Sequence, residues 1–358
     1  MLTIFARIIA VAGLLLASCD GPGGETPPPG DASHRDTSQA DNLRPDAGAV
    51  HAEAGVVMPG TPCGDGICDP RERREPALCP ADCASATSGR VEEIHVMNPS
   101  SGVSLYGHLH LPADASTTKQ YPAVVLVPGG TGSGDGFDAT GLASRFVDQG
   151  IIALHFDLDG RGQSAGTEDQ CGTIHQDGLE AVGAYLASRA EVRVGGVGLL
   201  SQSFGVTCAT GTLARHKDKK TFLFLVDFEG PADRNDTGHC DASNTGHITH
   251  DCQDDAWWSA REAATSVKSI IVPYLRVQTG KDHAQPDNSH AILMINSATS
   301  GQFGGGGVSP WTLVNDETLN QPNRVYSAAA PPKWLAAGGA PDFKTQKSVE
   351  SVEAMLER

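Results

Sequence analysis

The sequence predicts an α/β fold, a mostly parallel central sheet with helices on both faces. Three features carry this reading. Two segments near residue 90 alternate apolar and polar with period two, as a half-exposed antiparallel pair does. After them come short, continuous apolar runs of the kind buried on both sides in parallel sheets. Between those runs lie stretches with helical periodicity, so the order reads as repeated β-α units.

Val91–Met97 and Val103–Pro112 are the alternating pair. Ala123–Val127 is the first buried strand, and Pro128-Gly129-Gly130 ends it in a turn. A helix over Phe137–Gln149 leads to a strand over Ile151–Asp157, and a helix over Ile174–Ser188 precedes the strand Val192–Leu200. The next helix covers Phe204–Arg215, followed by strands over Thr221–Glu229 and Ile270–Thr279. Ser289–Ser297 reads as a helix, Trp311–Asn315 as the last strand and Lys347–Glu357 as a terminal helix. This body, residues 90–358, is within the size of one domain, with residues 230–255 as a lid-like insertion.

Three segments are expected ahead of it. Residues 1–18 carry Arg7 and then the apolar run Ile8–Leu16, too short to span a bilayer but suited to a signal peptide. The run closes in Leu16-Ala17-Ser18-Cys19, which resembles the cleavage box of bacterial lipoproteins. That resemblance implies lipid on Cys19, a membrane anchor and an extracytoplasmic place in the cell envelope. Residues 19–62 read as a disordered tether, since positions 20–62 hold 7 Gly and 7 Pro and almost no aromatic or branched apolar residues. Residues 63–83 hold Cys63, Cys68, Cys79 and Cys83, a module too small for a hydrophobic core and therefore expected to be cross-linked. It resembles short Cys-Gly-Asp-Gly-x-Cys modules of extracellular bacterial proteins. Asp65, Asp69 and Glu72 there are hard oxygen donors that suit calcium.

The formal charge is −17, from 26 Lys and Arg against 43 Asp and Glu, which argues against a nucleic-acid partner. Of nine cysteines, Cys19 is assigned to lipid and eight remain, an even number that suits disulfides in an exported chain. Cys240 and Cys252 are expected to close the insertion; Cys171 and Cys208 either pair or stay as buried thiols.

The chemistry is read from Val197-Gly-Leu-Leu-Ser201-Gln-Ser203-Phe204-Gly205, a buried strand running into a tight turn and straight into a helix. It resembles the nucleophile elbow of the α/β-hydrolases, with Ser201 in place of the first glycine of Gly-x-Ser-x-Gly. Asp157-x-x-Gly160-x-Gly162-x-Ser164 is similar to a structural turn of the same family. The resemblance implies Ser203 as nucleophile and backbone N–H groups of Gly130 and Phe204 as an oxyanion hole. It further implies Asp282, in the turn after the strand Ile270–Thr279, as the acid. The reaction implied is cleavage of an ester or amide through a covalent acyl-enzyme, without a cofactor.

The base is where the pattern departs from the family. The histidine should follow the last strand, yet none occurs after His290. His290 is ranked first as a relocated base, with His283, expected to point away from Asp282, and His247 as alternatives. A rival reading is a non-catalytic surface binding protein that has lost its base. A third centres on a metal held by His239, His247, His250 and Asp251 in the insertion.

Overall fold

Among the described residues, eight strands form a single sheet in the order β1-β2-β4-β3-β5-β6-β7-β8. The structure is a computed structural model, and it describes residues 89–238, 240–241, 246–315, 323–336 and 343–358. The expected signal segment, tether and four-cysteine module, with Cys19, Cys63, Asp65, Cys68, Asp69, Glu72, Cys79 and Cys83, lie outside the described residues, as does His239.

The strands are β1 (Arg90–Met97), β2 (Ser104–Leu111), β3 (Tyr121–Val127), β4 (Ile152–Phe156), β5 (Val192–Gln202), β6 (Leu225–Phe228), β7 (Tyr274–Val277) and β8 (Thr312–Val314). β1 and β2 pair antiparallel, β2 runs antiparallel to β4, and every pairing from β4 across to β8 is parallel. Period-two alternation therefore marks the leading pair, and continuous apolar runs mark the interior, as expected of strands covered on one and on two faces.

The helices are α1 (Asp135–Ala139), α2 (Leu142–Asp148), α3 (Thr173–Ser188), α4 (Gly205–Arg215), α5 (Arg234–Thr237), α6 (Asp255–Ser259), α7 (Ala263–Ser266), α8 (Ser289–Ala298) and α9 (Phe343–Leu356). Alternate residues of β3 separate two apolar layers. Val125 and Val127 pack with residues of α3, α4, α7 and α8, while Val124 and Leu126 pack with α1, α2 and α9. The single helix expected over Phe137–Gln149 is two, because Gly141 takes a left-handed conformation with φ of 70° and breaks the run. Cys240 and Cys252 are joined by a disulfide, and Cys171 and Cys208 are buried free thiols.

Beneath the C-terminal ends of β6 and β7 lies a fully buried ion pair. Arg276 donates to Asp227 Oδ2 over 2.6 Å and to the Gly230 carbonyl over 2.7 Å, and the Tyr274 hydroxyl donates to the same carboxylate over 2.7 Å. Neither charge touches solvent. Removing one partner strands the other charge in the interior, so Asp227→Ala is expected to cost about 3–5 kcal/mol of stability. Tyr274→Phe keeps the ion pair and should lose about 1–2 kcal/mol. Denaturant midpoints of the two variants measure the difference.

Candidate active site

Three neighbouring parallel strands end level with one another. Gln202 of β5 pairs with Phe228 of β6, which pairs with Val277 of β7. The next residue of each chain segment therefore emerges at the same edge of the sheet: Ser203, Glu229 and Gln278. The Ser203 N–H donates to the Phe228 carbonyl over 2.8 Å, and the Glu229 N–H to the Val277 carbonyl over 3.0 Å.

Ser203 has φ of 49°, a conformation that few residues other than glycine adopt and that is held only where the surroundings enforce it. Its neighbours are small of necessity. A Cβ on Gly129 would lie 2.8 Å from Ser203 Cβ, and one on Gly205 would lie 2.8 Å from the carbonyls of Val127 and Pro128. Ser201 is fully buried, and its hydroxyl finds no partner among the described residues. Glu229 repeats the device on β6, with φ of 51°.

The groups so positioned meet. Ser203 Oγ is 2.9 Å from His283 Nε2, and His283 Nδ1 is 3.0 Å from Glu229 Oε2. The other Glu229 oxygen accepts from the Thr279 hydroxyl and from the Thr279 N–H, the latter over 3.2 Å. Burial opposes the charge on Glu229, but the hydrogen bonds from His283 and Thr279 outweigh it and hold the carboxyl below its ordinary range. His283 is itself partly open to solvent.

This arrangement corrects three expectations. Asp282 is not the closest carboxylate to the imidazole. Its Oδ1 is 3.5 Å from His283 Nδ1 and is already engaged by the N–H groups of Ala284 and Gln285, at 2.7 and 2.8 Å. Its Oδ2 accepts from Gln278 Nε2 over 2.9 Å. Burial works against this charge too, and those donors with nearby His290 push the Asp282 carboxyl far down. Asp282 thus folds the turn that presents His283. The second correction concerns His290, which does not reach Ser203. It is buried at the start of α8, with Nδ1 3.0 Å from the Asp287 carbonyl and Nε2 3.2 Å from Asp282 Oδ2. His283 was expected to turn away from Asp282, as strand neighbours do, but the two residues lie in a turn where that rule lapses.

A cavity of about 460 Å³ opens beside Ser203. Gly130, Phe204 and His283 line it, and the insertion contributes Pro231, His247 and Ile248. Gly130 has φ of 56°, and its carbonyl accepts from Arg161 over 2.9 Å. Arg161 is clamped by two hydrogen bonds to Glu168, of 2.6 and 2.8 Å, so the loop that carries Gly130 is fixed from behind. Phe204 precedes α4, so the helix offers its N–H no acceptor. Asp157 supports the same loop by accepting from the Gly134 N–H over 2.8 Å.

Glu229, Asp282 and His283 have donor atoms close enough to share a cation, though the hydrogen bonds above already engage both carboxylates. In the insertion His250 stacks on Trp257 at 3.9 Å between ring centroids and meets Asp254 at 2.9 Å, and Trp258 is fully buried. Among the described residues the insertion histidines form no metal-binding group.

The same fold occurs in solved structures of known proteins. An esterase of Pyrococcus furiosus superposes with a TM-score of 0.52 at 14% identity, covering 76% of this chain and 93% of its own. An S-formylglutathione hydrolase of Agrobacterium tumefaciens gives 0.55 at 12%, covering 76% and 97%. The fold is that of the α/β-hydrolases. Dipeptidyl peptidase 4 of Porphyromonas gingivalis gives 0.53 at 14%, and there the match spans 76% of this chain but 36% of the larger protein. No family model matches the sequence, and no curated protein matches it.

A carboxyl held below its ordinary range stabilises the folded state above the unfolded value and loses that contribution as pH falls through the folded one. Glu229→Gln is therefore expected to be less stable than the parent chain at pH 7. The two stabilities should converge as pH drops below about 4, where unfolded glutamate is protonated. Urea unfolding at a series of pH values tests this.

Proposed function

We propose that this chain is a serine hydrolase that cleaves a carboxylic ester or amide through an acyl-enzyme. The observation that carries the reading is the 2.9 Å contact between Ser203 Oγ and His283 Nε2, with His283 Nδ1 on Glu229. His283 takes the proton from Ser203 as the hydroxyl attacks the substrate carbonyl, and later gives it to the leaving group. Glu229 fixes the tautomer of His283 and stabilises the imidazolium that forms. The N–H groups of Gly130 and Phe204 receive the developing oxyanion, worth about 3–4 kcal/mol per donor in comparable sites. Water then resolves the acyl-serine by the same proton path in reverse.

The chain order serine, acid, histidine is the one expected of the fold, moved one strand earlier for both partners. An esterase, an S-formylglutathione hydrolase and a peptidase among the structural neighbours support a substrate with an ester or amide bond. With a histidine beside Ser203, the reading as a binding protein without a base loses its ground. The signal-like residues 1–19 support export and lipid attachment at Cys19, with the hydrolase held at the cell envelope.

A fluorophosphonate probe should label the parent chain and leave Ser203→Ala unlabelled. On an activated ester, His283→Ala is expected to lose at least about 10³-fold in kcat/KM and Glu229→Gln about 10²–10⁴-fold. His290→Ala should retain activity within about 10-fold, since it makes no contact with the reacting atoms. Full labelling of Ser203→Ala, or a larger loss in His290→Ala than in His283→Ala, would overturn the assignment.

A further inference from the structure

A second cluster of reactive side chains lies on β2, β4 and α1 and includes none of the residues assigned to the reaction. His108 and His110 stand two residues apart on β2 and so share a face, while His155 of β4 is paired with His108 across the strands. All three imidazoles project on the side covered by α1, and Asp138 of that helix reaches down between them. His110 Nε2 is 2.9 Å from Asp138 Oδ1, His155 Nε2 is 3.1 Å from the same oxygen, and the two nitrogens are 3.3 Å apart. His108 Nδ1 is 2.9 Å from Asp138 Oδ2.

Hydrogen bonding alone does not use every group of this cluster. A neutral imidazole has one N–H and one ring lone pair. With both protons on Nε2, Asp138 Oδ1 accepts from both rings and His155 Nδ1 is left as a buried lone pair. With either on Nδ1, a ring lone pair faces a negative charge. His155 Nδ1 is buried and has no partner among the described residues in either case. A cation at the point where the nitrogens and the carboxylate converge would take ring lone pairs and the carboxylate charge together.

The geometry points to a zinc site formed by His108, His110, His155 and Asp138. Metal–ligand bonds of about 2.0–2.1 Å in a tetrahedron require ligand atoms about 3.3 Å apart, close to the separations in this cluster. Three imidazoles and a carboxylate favour zinc and its transition-metal neighbours over calcium or magnesium, which prefer oxygen. The outer nitrogen of His108 is also supported, with Nε2 2.8 Å from the Tyr106 hydroxyl, as metal-bound histidines commonly are. Gly134 makes room for the ring of His155, since a Cβ there would lie 2.5 Å from Nδ1. Asp138 and His108 are partly exposed, which gives an ion a way in. Four protein ligands close the coordination sphere, so the ion braces α1, and with it the Gly129–Gly134 loop, against β2 and β4.

The full chain, stripped with a chelator, should take up one zinc ion with submicromolar affinity measured against a chromophoric chelator, and cobalt should give the strong visible bands of a tetrahedral site. His110→Ala and Asp138→Asn are expected to weaken zinc binding at least about 100-fold. His108→Gln, at a partly exposed position, is the second variant should a buried substitution unfold the chain, as circular dichroism would reveal. Ser203→Ala, Glu229→Gln and His95→Ala should bind as the parent does. Binding that is lost in Glu229→Gln and kept in His110→Ala would move the ion to the other cluster and overturn the proposal. So would the absence of zinc binding tighter than about 100 μM in the folded parent chain.

Discussion

The architecture of the site depends on one backbone constraint, a serine held at positive φ between a buried strand and the helix that follows it. That conformation turns the hydroxyl out of the sheet and places the next N–H at the head of α4. It persists because β3 and its glycine loop approach so closely that no side chain fits at Gly129 or Gly205. The strain is local, while its support is spread over three strands: Ser203 rests on the Phe228 carbonyl, and Glu229 rests on that of Val277.

Directly beneath, the Asp227–Arg276 pair ties β6 to β7 in a dry interior. Arg276 also donates to Gln278, whose amide reaches Asp282, so a continuous chain of polar contacts runs from the buried core to the turn bearing His283. Each member is satisfied by its neighbours, and for that reason the turn has a defined position over Ser203. A buried charge in this setting contributes order more than net stability.

Much of the fold was legible because strand burial leaves a direct mark on sequence. The continuous apolar run at 123–127 and the buried stretch 197–200 of β5 match strands covered on both faces, and the elbow was flagged by a strand ending in Ser-x-Ser-x-Gly. The histidine was harder, because counting strands placed the acid after β7 and the base after β8. The lack of any histidine beyond His290 was the clue that both had moved. Glu229, an acid at the end of the strand after the elbow, would then have completed the order. The cluster on β2 and β4 left no comparable signal: His108, His110, Asp138 and His155 are dispersed over 48 positions and meet only because β4 inserts beside β2, ahead of β3.

Drawing acid and base from β6 and β7 also changes what the tail of the chain is for. Every group assigned to the reaction falls between Gly130 and His283, whereas α9 contributes Val349, Val352 and Met355 to the apolar layer on the opposite side of the sheet. The same helix sets Lys344 Nζ 3.9 Å from Glu229 Oε2, so the final stretch touches the acid as well as the core. Along its apolar face an engineer meets only the lenient rules of a scaffold, whereas position 344 bears on the carboxylate that orients the base.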